Sequence, residues 1–121
     1  MKVPRLLEEA YGADHGLSSF VSFALARIDD HISSNRMVFF PEYTDHGITH
    51  LELTLQTAID LATDAARCLL TSSDAAVLTV AVALHDFGMH LTLDGFNSLI
   101  SRGSRWELSP NLGDGKGQAA A

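Results

Sequence analysis

Apolar positions along the chain recur at helical spacing. Leu17, Phe20, Val21, Ala24, Ile28 and Ile32 step by three and four, which places them on one face of a helix over about residues 17–33. Arg27, Asp30 and Ser34 fall largely outside that stripe. A short helix is expected over residues 5–11, stopping at Gly12. The segment "NRMVFFPEYTDHG" breaks the pattern, because Pro41 disfavours helix at Phe40 and Gly47 follows a polar turn; a loop is expected there. From residue 48 to 67 the periodicity returns as one helix. Leu51, Leu55, Ala58 and Ala62 form one strip and His50, Leu53, Thr57 and Leu61 the adjacent one, both expected to be covered.

"TSSD" at residues 71–74 resembles a capping box with Asp in the Glu position, so a helix should open there and run through "AAVLTVAVALHDF", with Gly88 as its stop. Apolar on almost every side, this helix should form the centre of the domain, packed by the other two. Residues 95–102 offer a further short helix. Strand-like alternation is nearly absent. The expected fold is therefore all-α: one helical domain over residues 1–108, then a Gly- and Ala-rich tail over 109–121.

Charge narrows the function classes. The formal net charge is −7 with only eight Lys and Arg, which argues against a non-specific nucleic-acid coat, since phosphate binding relies on clustered basic residues. One cysteine, Cys68, excludes an internal disulfide and is expected to pack among small residues in a reducing, cytoplasmic compartment. No window holds eighteen consecutive apolar residues, so no membrane span is expected.

Against that background His85 and Asp86 stand out at the end of the most apolar segment. An unpaired carboxylate buried there costs several kcal/mol, so the pair must find hydrogen bonds, a metal or the surface. On a continuous helix their side chains point about 100° apart, and both reach one ion only if it lies beyond the helix surface between them. Upstream, "TDHGITH" brings His46 and His50 from another element. Two or three imidazoles with a carboxylate suit divalent first-row metals. A purely structural bundle with incidental histidines is the plainer alternative.

The stretch "YTDHGITHLELTLQTAIDLA", followed by "LHDFGMH" at residues 84–90, resembles the front half of an HD-domain metal-dependent phosphohydrolase. The "TDHGxxH" form resembles HD domains that accompany ATPase modules in bacterial conflict systems. By that resemblance His50 matches the first metal ligand, and His85 with Asp86 match the His-Asp doublet. The resemblance implies one or two divalent ions (Mn, Fe, Ni, Zn or Mg) and a nucleotide or other phosphoester as substrate. Asp86 could bridge a second ion, and His46 could hold that ion, bind phosphate or move a proton. His90 is a further ligand or substrate-contact candidate, and Asp45 could orient a ligand histidine. His15 and His31 fall outside the cluster. Arg36, Arg102 and Arg105 are candidates to meet phosphate.

Two departures stand against the family pattern. Leu53 occupies the position where many members carry Arg, and Met89 the position where some carry Lys. The closing Asp of the family comes from a later helix, yet Asp94 is too near the doublet and Asp114 lies in the tail. Either that ligand is missing, or the chain is part of a longer protein whose further domains would be partners. The resemblance thus implies a phosphohydrolase domain or, if the chemistry is lost, a regulatory module that binds nucleotide or a protein partner without turnover.

Overall fold

The computed structural model describes residues 1–34, 37–40, 42 and 46–101. They form six α-helices and one 3-10 turn: α1 (Arg5–Gly12), α2 (His15–Ser34), α3 (Ile48–Leu61), α4 (Asp64–Leu69), α5 (Ser72–Leu84), the turn Phe87–His90, and α6 (Leu93–Ile100). No strand occurs among the described residues, as the helical spacing requires. The domain boundary expected at residue 108 lies outside the described residues.

Local chemistry sets the helix starts. Asp14 Oδ1 accepts from the amides of Gly16 and Leu17, so α2 begins two residues before its first apolar position. The Thr71 hydroxyl accepts from the Asp74 amide while the Asp74 carboxylate accepts from the Thr71 amide, completing the capping box that opens α5. Thr92 caps α6 through the Gly95 amide, which starts that helix two residues before its expected position.

The helix expected over residues 48–67 is two. Ala62 adopts an extended conformation, with φ −70° and ψ 128°, and Thr63 caps a new helix by accepting from the Ala66 amide. A Thr-Asp pair is a better helix start than interior, since its hydroxyl competes for backbone groups. Arg67 Nη2 reaches back 2.8 Å to the Ile59 carbonyl at the end of α3, a second donor to an oxygen that also accepts from the Ala62 amide.

The core is Leu7 and Tyr11 from α1, Val21, Leu25, Ile28 and Ile32 from α2, Leu51, Leu55 and Ile59 from α3, and Ala75, Ala76 and Ala83 from α5. Full burial of Leu7, Leu51 and Leu55 contributes about 1.5–3 kcal/mol each. As expected α5 is central, touching α1, α2 and α3. It turns Ala75, Ala76, Thr79 and Ala83 inward, and these small residues permit close helix approach.

Four packing expectations are corrected. Val77 and Leu84 point outward from α5, so that helix is covered on one side rather than all round. On α3 the strip containing Leu53 and Leu61 is exposed, because Leu51, Leu55 and Ile59 already fill the interface. On α2 the buried stripe includes Leu25 and leaves Phe20 out in solvent. Cys68 is exposed on α4 rather than packed. No single helix among the described residues is long and apolar enough to cross a membrane.

Candidate metal centre

The most apolar helix ends where its chemistry begins. α5 stops at Leu84, and Asp86 sits at φ −103°, ψ 6°, outside the helical region. Val82's carbonyl, which a continuing helix would offer to the Asp86 amide, accepts from His85 Nδ1 at 2.6 Å. The expected run through Phe87 to a stop at Gly88 is therefore corrected: Gly88 lies inside the 3-10 turn that Met89 closes by donating to the Asp86 carbonyl. The turn also removes the 100° divergence of the doublet. His85 Nε2 lies 2.8 Å from Asp86 Oδ2.

Two more imidazoles meet the same oxygen. His46 Nδ1 is 2.8 Å from Asp86 Oδ2, and His50 Nε2 is 3.2 Å from it. His50 stands in the first turn of α3, and His46 precedes its N-cap, Gly47. The ring centroids of His46 and His50 are 4.8 Å apart, and those of His50 and His85 5.5 Å apart. Burial brings these polar groups together at low cost only if they satisfy one another, and the Asp86 side chain is 15 % exposed.

Burial alone would push the Asp86 carboxyl up. The hydrogen bond from His46 and the positive charge available to His85, His46 and His50 together outweigh it, and hold the group below the ordinary carboxylate value. His85 Nδ1 donates to a carbonyl, so its Nε2 lone pair faces the carboxylate. Lone pair against anion at 2.8 Å requires a cation between them, either a proton on the ring or a metal ion. A donor set of imidazole nitrogens and one carboxylate fits a divalent ion, and ligand atoms of His46, His50 and Asp86 all lie within 4.8 Å of one another.

His90 is buried in the 3-10 turn, and its Nε2 is 3.1 Å from the His46 carbonyl oxygen. His31, read from sequence as remote, hydrogen-bonds through Nε2 to the His90 carbonyl oxygen at 3.2 Å. Nothing in the spacing of His31 announces that contact, which crosses from α2 to a turn 59 residues away. His15 is exposed at the start of α2, and Asp94 is exposed in the first turn of α6. Asp45, Arg36, Arg102, Arg105 and Asp114 lie outside the described residues. Leu53, three residues after His50, is 63 % exposed in a groove with His50, Thr54, Thr57, Ala58 and Leu61.

Compared with known families, residues 40–116 match the HD-CE family model, a span that contains His46, His50, His85 and Asp86. Neither the curated proteins nor the solved structures give a match.

Proposed function

The chain belongs to the HD-CE family, and from that premise we propose that its histidine-aspartate cluster is a divalent-metal centre that hydrolyses a nucleotide or another phosphoester. Three imidazole nitrogens within 3.2 Å of one carboxylate oxygen carry the reading. His50, His85 and Asp86 would hold the ion, with His46 beside them. Mn, Fe, Ni and Zn suit such nitrogen-rich donors better than Mg, which prefers oxygen. Bound there, a divalent ion supplies Lewis acidity toward a phosphoryl oxygen and lowers the pKa of a water ligand.

The chain's own groups do the rest. Val82 fixes the His85 tautomer by accepting its Nδ1 proton, so Nε2 is presented as a lone pair. Asp86 brings the negative charge that offsets a cation, and its two oxygens allow it to bridge a second ion. His46 donates Nδ1–H to Asp86, so the ring's basic lone pair sits on Nε2, the atom that would take a proton from water or, once protonated, give one to a leaving oxygen.

A second reading, a module that binds nucleotide or a protein partner without turnover, has its own support. The groove beside His50 carries Leu53 where an arginine would meet phosphate, and no Lys or Arg lines it among the described residues. Asp94 does not join the cluster among the described residues. Hydrolysis of a generic phosphodiester with and without Mn²⁺ separates the two. Metal-dependent turnover lost in His85→Ala and Asp86→Ala is expected. Mn²⁺ and nucleotide binding without turnover would favour the regulatory module, and failure to bind either would overturn both the phosphohydrolase and the nucleotide-binding module.

A further inference from the structure

The group that fixes His46 comes from outside the four-residue cluster. His90 is 3 % exposed, and a buried imidazole is costly unless its nitrogens are bonded. Its Nε2 faces the His46 carbonyl oxygen at 3.1 Å; that oxygen only accepts, so Nε2 carries the proton. The His90 carbonyl in turn accepts from His31 Nε2, and the His31 ring stacks on Phe87 with centroids 4.3 Å apart and planes inclined by 25°. The turn Phe87–His90 is thus braced from α2 on one side and braces the stretch ahead of α3 on the other.

His46 needs such a brace. Its neighbour Gly47 is the N-cap of α3 and offers no side-chain cap, so His46 lies outside the helical ladder. Its carbonyl is held by His90 and its ring by Asp86, two residues at opposite ends of one short turn. Holding a residue at both backbone and side chain leaves its ring little rotational freedom.

We infer that His90 is a positioning residue for the metal centre, tying the His46 backbone to the turn that carries Asp86 so that His46 Nδ1 meets the carboxylate. The inference rests on the reading of the cluster as a metal site. In this role His90 touches the backbone of a cluster residue rather than the ion.

The test uses the full chain with two substitutions. His90→Phe keeps volume and removes the donor; His90→Gln restores an N–H at the end of the side chain. Mn²⁺ titration by calorimetry is paired with NMR of the imidazole protons in the metal-free protein. Loss of a group that orients a ligand typically weakens metal binding tenfold or more, so His90→Phe should lower Mn²⁺ affinity at least about tenfold. It should also abolish the hydrogen-bonded His46 Nδ1–H resonance, and His90→Gln should recover most of both. Wild-type affinity and an intact resonance in His90→Phe would overturn the inference. So would complete loss of binding in both variants, equal to Asp86→Ala, which would make His90 a ligand. If the wild type binds no Mn²⁺, the metal reading falls, yet the resonance still decides: lost in His90→Phe it upholds the brace, retained it overturns it. Should His90→Phe fail to fold, His31→Phe keeps an aromatic ring beside Phe87 and removes the donor to the His90 carbonyl. It should weaken Mn²⁺ binding by up to about fivefold, the worth of one ordinary hydrogen bond; unchanged affinity and an unchanged resonance would overturn the inference.

Discussion

Asp86→Asn keeps the shape of the side chain that three imidazoles address and removes its charge. Asp86 Oδ2 lies 2.8, 3.2 and 2.8 Å from His46, His50 and His85. A hydrogen bond to a charged group contributes about 1.5–3 kcal/mol. Against that, a neutral amide escapes part of the cost of burying a carboxylate that is 15 % exposed. The net expectation is a loss of about 1–2 kcal/mol at pH 7, or a fall of about 0.5–1 M in the urea midpoint. Because the folded-state pKa is depressed, Asp86 contributes stability above its unfolded value of about 3.9, and loses that contribution as pH falls through the folded value. The gap between wild type and variant should therefore narrow below about pH 4. Urea denaturation with a chelator present, at pH 7 and at the lowest pH where the chain stays folded, measures both. A variant as stable as wild type at pH 7, or a gap independent of pH, would refute the reasoning.

Other expectations follow from packing, capping and charge. Leu55→Ala removes a fully buried side chain and should cost about 2–5 kcal/mol by chemical denaturation. Thr71→Ala removes the hydroxyl that caps α5 and should cost about 1 kcal/mol in the same assay. Leu53→Arg places a cation one helical turn from His50 at an exposed position; stability should move by less than about 0.5 kcal/mol, while inorganic phosphate binding by calorimetry should tighten severalfold.

Much of the fold was legible because α2, α3 and α5 carry periodic apolar faces, and because "TSSD" is a local signal that owes nothing to distant contacts. What local pattern could not supply was which of several apolar strips turns inward. That choice depends on neighbours: α5 offers alanines to α1 and α2, which leaves Val77 and Leu84 outside. The break at Ala62 was written in Thr63 and Asp64, but a continuing apolar period masked it. At the site, residue types and spacing pointed to His46, His50, His85 and Asp86. Their convergence on a single oxygen depended on α5 ending at Leu84, one turn earlier than the apolar run suggested. The contacts of His31 and His90 were illegible, since both run between a ring nitrogen and a backbone oxygen, and any residue could supply that oxygen.

The most direct measurement is a crystal of the wild-type chain soaked in Mn²⁺ and read by anomalous scattering. A peak about 2.0–2.3 Å from Asp86 Oδ2 and from imidazole nitrogens of His50 and His85 is the predicted result. A map with no peak there, or with Mn²⁺ bound only elsewhere while the three rings keep their hydrogen-bonded places around Asp86, would contradict it.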